Sequence, residues 1–182
     1  MNEINLQGEV MSVLNLFEER LSTPIGELIV LMDADGRARA IDWSEYSTRM
    51  QQLLVRHYPR TSIHIQPAPK PSPATTALQH YFAGQLEALN TVAFFVQGTP
   101  FQEQVWAGLQ HIPCGTTWSY KQLAEYIQRP NAMRAVGTAN GANPISLVIP
   151  CHRVIGNKHQ LVGYAGGLER KKWLLQHEGV LL

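Results

Sequence analysis

The sequence predicts a two-domain α+β fold, with a small N-terminal α/β domain built on an antiparallel sheet and a mainly helical C-terminal domain carrying a helix-turn-helix. Three observations predict it. Residues 16–43, LFEERLSTPIGELIVLMDADGRARAIDW, read as three strands separated by turns at 23–26 and 33–36. The segment 66–76, QPAPKPSPATT, is rich in proline and small residues and reads as a surface loop. From Thr99 onward the spacing becomes helical and two capping boxes appear.

Taken in order, residues 1–16 read as a loose N-terminal extension, 17–97 as the first domain and 98–182 as the second. After the three strands, a helical pattern covers 46–57, a second covers 76–83, and a strand is expected near 91–96. No chemical motif is visible in this half. In the second half, Thr99-Pro100-Phe101-Gln102 is a strong helix start, with Val105, Trp106 and Leu109 as the apolar face. Ser119 and Gln122 form the next capping box, followed by Tyr120, Leu123, Ala124 and Ile127 at i, i+3, i+4, i+7. Arg129-Pro130-Asn131 breaks that helix, and Asn131 is expected to cap another over 132–141. Two short helices joined by a tight turn read as a helix-turn-helix. In the second, Ala132, Ala135, Val136 and Ala139 fall on one side, and Arg134, Gly137, Thr138 and Gly141 on the other. That outer face is bare except for an arginine. Such a face suits either helix–helix packing through small residues, with Arg134 in solvent, or the narrow minor groove, where small residues allow close approach and an arginine can insert.

The composition is that of an ordinary globular protein, 45% hydrophobic and 16% charged over 182 residues. No run reaches the ~18–20 apolar residues of a membrane helix. The opening MNEINLQGEV lacks the features of a signal peptide, so an intracellular, cytoplasmic protein with no membrane partner is expected. Two cysteines do not make a disulfide framework, and no spacing suits a metal, so neither a metal site nor another cofactor is expected. Net charge is only +1, but the half from Pro100 onward is basic and the remainder acidic. That asymmetry is either ordinary surface variation or a sign that only the second half meets an anion.

The stretch 148–156, VIPCHRVIG, sets Cys151, His152 and Arg153 in an apolar context. Residues 145–149 read as a buried strand ended by Pro150, with Cys151 at its mouth. A thiolate is a strong nucleophile, and a histidine can take the thiol proton directly or through a water. Successive strand residues point opposite ways, so direct contact between the two is not guaranteed. The base needs an orienting group. Residues 168–177 read as a helix with Lys171 and Lys172 on its surface, and Gly179 suits the C′ position. Glu178 then sits against the helix dipole, a broken local rule that suggests a role. In VGYAGG, 162–167, glycines allow close approach to a ligand, and Tyr164 can form one wall of a slot for a flat ring.

Together, IPCHRV (149–154), RAVGTANGANP (134–144), GYAGG (163–167) and WLLQHEG (173–179) resemble the O6-alkylguanine-DNA alkyltransferases, with TPFQEQVW (99–106) and IPCGTTWSYKQLA (112–124) also matching. The resemblance is specific over 98–182 and looser over 17–97. It implies stoichiometric DNA repair, in which an alkyl group on O6 of guanine, and possibly O4 of thymine, passes to Cys151. It implies His152 as a water-linked base, Glu178 as its orienting carboxylate and Asn143 as a hinge. Tyr120 would donate a proton to the leaving guanine. Arg134 would fill the stack vacated by the flipped nucleotide, with Gly137 and Thr138 on the same DNA-facing helix. Tyr164, Ala165 and Gly166 would line the guanine pocket. The implied partner is double-stranded DNA carrying O6-alkylguanine, bound in the minor groove by a monomer. The structural zinc of some relatives is doubtful here because the N-terminal half has no cysteine, and Ala165 stands where some relatives carry a hydroxyl. Cys114 reads as structural. A non-catalytic DNA-binding protein that senses lesions or regulates transcription, and a turnover cysteine hydrolase, are the competing functions. The first would lack the acceptor cysteine, and the second would leave the helix-turn-helix unexplained.

Overall fold

The computed structural model describes residues 2–4, 10–157 and 160–181. Strands β2 (Val10–Thr23), β3 (Gly26–Asp33) and β4 (Ala38–Trp43) form an antiparallel meander with Leu16 opposite Asp33 and Leu28 opposite Trp43. The two turns fall where the sequence places them. Gly26 and Gly36 there take φ of 125° and 75°, values that favour glycine.

The amino terminus corrects an expectation. A short strand β1 (Asn2–Ile4) pairs with β2, so the segment read as a loose extension contributes to the sheet. Met1 and residues 5–9 of that extension lie outside the described residues. A further strand, β5 (Thr61–Pro67), runs parallel to β2 and covers the start of the expected loop. Parallel pairing requires a crossover connection, and helix α1 (Ser47–His57) lies within it. Helix α2 (Pro73–Phe82) starts three residues early because Ser72 caps it and Pro73 suits its first turn. The strand expected near 91–96 is instead a 3-10 turn at Leu86–Thr91 and a single bridge from Phe94 to Ala38.

The second half is helical. Helices α3 (Pro100–Leu109) and α4 (Tyr120–Tyr126) both start in complete capping boxes. The second box uses Ser119 N–H to Gln122 Oε1 at 2.7 Å and Gln122 N–H to Ser119 Oγ at 3.1 Å. Helix α5 (Met133–Gly141) follows after a turn in which Gln128 has φ of 58°. Its N-cap is Ala132 without a side-chain bond, not Asn131. Val136, Ala139 and Asn140 form its buried stripe, whereas Ala135 faces outward. Short strands β6 (Trp118–Ser119) and β7 (Val154–Ile155) pair in parallel, and helix α6 (Leu168–His177) closes the fold.

One core cluster spans both halves, including Trp43, Tyr81, Trp106, Ile145 and Leu174. The free edge of β4 joins them further. Ile41 N–H donates to Pro144 O at 2.9 Å and Ser146 N–H donates to Ile41 O at 2.8 Å. The sheet of the first half therefore holds the segment that leads to Cys151.

Candidate functional site

The apolar run 145–149 is not the strand that its composition suggests. It makes one bridge to Ile41 and then turns, with Leu147 at φ 73°. A buried leucine in the left-handed region is strained, by about 1–3 kcal/mol, and persists only where its surroundings enforce it. Asn143 supplies that enforcement. Its Nδ2 donates to Ile149 O at 2.8 Å and its Oδ1 accepts from Ile145 N–H at 2.9 Å. Cys151 consequently starts a 3-10 turn, Cys151–Arg153, instead of ending a strand. In that turn Cys151 and His152 are both buried.

Glu178 gathers the groups around this turn. His152 Nε2 lies 2.9 Å from Glu178 Oε1, and Arg153 donates from Nε to Oε2 at 2.8 Å and from Nη2 to Oε1 at 2.9 Å. Gly179, with φ of 86°, ends α6 so that the carboxylate of the C-cap residue Glu178 turns inward. Burial alone would push the Glu178 carboxyl up, but its bonds to His152 and Arg153 hold it well below the usual carboxylate range. Burial pushes the His152 imidazole below its ordinary value despite the pull of Glu178, so the ring is neutral and able to accept a proton. Its Nδ1 has no hydrogen-bond partner among the described residues. Burial also raises the Cys151 thiol, a shift opposed first by a hydrogen bond with Asn143 and then by the charges of Arg49 and Lys171. The resting sulfur is therefore a thiol that needs a base.

The remaining expected residues divide between the glycine-rich loop beside His152 and the helices α4 and α5. Tyr164 packs edge-on to His152 with ring centroids 6.5 Å apart, and its hydroxyl accepts from Trp43 Nε1 at 3.3 Å. Ala165 is half-buried and Gly166 buried. A Cβ on Gly166 would lie 2.4 Å from Trp43 Nε1, so only glycine fits. Tyr120 Oη donates to Gly163 O at 3.3 Å, and burial raises its phenol, which keeps it a proton donor. Gly137 lies against Tyr120, with its Cβ position 3.6 Å from that ring. Arg134 and Thr138 are exposed on α5, Thr138 Oγ1 donating to Arg134 O at 3.2 Å. A cavity of about 300 Å³ behind the turn is lined by Cys114, Pro150 and Arg153, but not by Tyr164, Ala165 or Gly166.

Three contributors depart from what the sequence predicts. Lys171 was expected on the surface but is fully buried, its Nζ donating to Val154 O at 2.5 Å and Val162 O at 2.6 Å. It ties the VGYAGG loop to β7, and burial lowers its pKa to about 8. The first half supplies Arg49, whose Nη2 donates to Gly141 O at 2.6 Å and Asn143 O at 3.2 Å while its Nη1 pairs with Asp42. It also supplies Tyr81, whose hydroxyl reaches Glu178. No signal in the sequence points to Arg49 or Tyr81, which act on residues distant in the chain, and helical spacing does not show that Lys171 turns inward.

Residues 100–180 match the family described as "6-O-methylguanine DNA methyltransferase, DNA binding domain", and residues 16–94 match "6-O-methylguanine DNA methyltransferase, ribonuclease-like domain". A methylated-DNA–protein-cysteine methyltransferase of Shigella flexneri is 51% identical over 170 residues, which is 93% of this chain and 99% of that protein. The crystal structure of Mycobacterium tuberculosis O6-methylguanine methyltransferase superposes with a TM-score of 0.73 at 36% identity, covering 90% of this chain and 92% of that one. A structure of the Mycobacterium tuberculosis protein OGT in complex with DNA superposes with a TM-score of 0.71 at 37% identity, covering 91% of this chain and 92% of that one.

Proposed function

This chain belongs to the 6-O-methylguanine DNA methyltransferase family, and from that membership we propose that it repairs DNA by moving an alkyl group from O6 of guanine to its own Cys151. The observation that carries this assignment is the buried Cys151–Arg153 turn, where the buried Cys151 is followed in the chain by His152, whose ring is bonded to Glu178.

The base lies inside the duplex stack and must leave it to meet a buried sulfur. Helix α5 enters the minor groove through its small residues, and Arg134 fills the gap left by the flipped nucleotide. Unstacking costs a few kcal/mol, offset by Arg134 and by contacts in the pocket. Tyr164, Ala165 and Gly166 line that pocket, and the smallness of Gly166 lets the wall close over Trp43. His152 takes the Cys151 proton through a water, and Glu178 steadies the imidazolium that forms. The thiolate then attacks the alkyl carbon, forming the C–S bond as the C–O6 bond breaks. The electron pair goes to the guanine, and Tyr120 supplies the proton that neutralises it. The product is a thioether with no good leaving group, so each molecule reacts once. Binding rests on backbone contacts and is largely independent of sequence, and the protein acts as a monomer.

The test is to incubate the protein, under reducing conditions, with a duplex carrying one O6-methylguanine. Peptide mapping should place one methyl group on the fragment containing Cys151. Absence of an adduct would remove the assignment, and many turnovers per molecule would favour a cysteine hydrolase.

A further inference from the structure

Every reacting group named above comes from the second half of the chain, yet the carboxylate behind His152 is also held from the first half. Tyr81, near the end of α2, donates its hydroxyl to Glu178 Oε1 at 2.9 Å. Tyr81 is fully buried. Its aim is fixed independently of the carboxylate. The ring packs edge-on against Phe82 and His177, and the Tyr81 carbonyl is bonded to His177 Nε2 at 2.8 Å. Oε1 thus meets Tyr81, His152 and Arg153, Oε2 meets Arg153, and the Cys114 thiol also bonds the carboxylate.

We propose that Tyr81 is a positioning residue for alkyl transfer: by sharing Glu178 Oε1 with His152, it limits the pull of the carboxylate on the imidazole and so sets the basicity of the group that receives the Cys151 proton. This rests on the reading that His152 and Glu178 serve Cys151. The physics is that of a shared acceptor. A carboxylate oxygen bonded by several donors offers each of them less charge, and losing one donor strengthens the rest. The other groups facing the pair are Arg153 on the same turn, Tyr164 edge-on to the His152 ring, Cys114 in the connection after α3, Lys171 on α6, and His177 beside Tyr81. Burial raises Cys114 to about 11, so it carries no charge near neutral pH. Burial and the adjacent carboxylate keep the Tyr81 phenol protonated over any useful assay range. In Tyr81→Phe the ring packing is retained, no buried donor is orphaned, and Arg153 still grips both oxygens. The carboxylate therefore stays in place and His152 becomes more basic.

The experiment is the pH dependence of benzyl transfer from free O6-benzylguanine to the full-length protein, a substrate that needs no DNA. In Tyr81→Phe the acid limb should move to higher pH by about half a unit or more. Replacing Tyr81 with a fluorinated tyrosine, a stronger donor of nearly the same shape, should move it to lower pH, and this variant serves if the phenylalanine protein does not fold. A limb unmoved in both, or moved in the opposite sense in either, overturns the role of Tyr81 alone. A wild-type protein that takes no methyl group from an O6-methylguanine duplex overturns the alkyl-transfer reading, and the proposal with it.

Discussion

Replacing Glu178 with glutamine keeps the shape of the side chain but removes the charge on which the site converges. The Glu178 side chain is fully buried and takes two bonds from Arg153, one from Tyr81 and one from His152. A glutamine turns an NH2 group toward donors that previously met an oxygen, and it leaves the Arg153 guanidinium, 11% exposed, without its counter-charge. Removing one partner of a buried ion pair costs about 3–5 kcal/mol. At ~2–4 °C per kcal/mol for a chain of this size, Tm should fall by roughly 6–20 °C. The site should suffer separately, because His152 loses the anion that steadies its protonated form. General-base assistance is worth ~10²-fold or more, so benzyl transfer at pH 7.5 should fall by at least that factor. Urea unfolding followed by fluorescence measures the first effect, and intact-mass kinetics with O6-benzylguanine measure the second. The pH dependence gives a further check. The folded carboxyl lies below its unfolded value, so its contribution is complete above about pH 4.3 and is lost as pH falls toward the folded value. The stability gap between wild type and Glu178→Gln should therefore persist from pH 8 to pH 5 and close only in stronger acid. A variant within 1 kcal/mol of wild type that retains its transfer rate would refute this reasoning.

Three further outcomes follow from other contacts. Arg134→Ala should slow repair of duplex DNA by ~10–100-fold, a fraction of the few kcal/mol that unstacking requires, and leave the reaction with free O6-benzylguanine within about twofold; equal losses on both substrates would remove Arg134 from flipping. Arg49→Met strands Asp42, which is 2% exposed, and should cost about 3–5 kcal/mol near pH 7. Burial raises the Asp42 pKa, so this penalty should shrink in acid as the carboxyl takes a proton, and urea unfolding at two pH values would detect a constant penalty as a contradiction. His57 packs edge-on against Trp106 at 5.4 Å, and burial followed by the charges of Arg56 and Arg49 lowers its pKa. Protons then favour the unfolded chain, so stability is complete above about pH 6.5 and declines below it; His57→Phe should flatten part of that decline in Tm measured from pH 7 to pH 5, and unchanged slopes would count against it.

The parts of the molecule that were legible in the sequence are those set by local chemistry. Thr99 with Gln102 and Ser119 with Gln122 announce two helix starts through side chains three residues apart, and both boxes form. Gly179 marks the end of α6, and the misfit of Glu178 with the helix dipole points to its role. The failures are non-local. The apolar run 145–149 looks like a strand, but the Asn143 side chain and the edge of β4 take its backbone bonds and force Leu147 into a left-handed turn. Strand β5 was hidden because its side chains are only partly covered and its partner is the distant β2. Helical spacing cannot reveal that Lys171 ends on two carbonyl oxygens in the interior. Nor can it show that Tyr81, Arg49 and Trp43, from a half with no visible motif, reach Glu178, Asn143 and Tyr164.

The most direct test is the end point of alkyl transfer. A fixed amount of protein is titrated with increasing duplex that carries radiolabelled O6-methylguanine, and protein-bound label is counted and mapped. Single-use transfer to Cys151 predicts a plateau at one methyl group per molecule, all of it on the peptide containing Cys151. A plateau well above one, label on Cys114, or label that leaves the protein while the DNA continues to be repaired would contradict it.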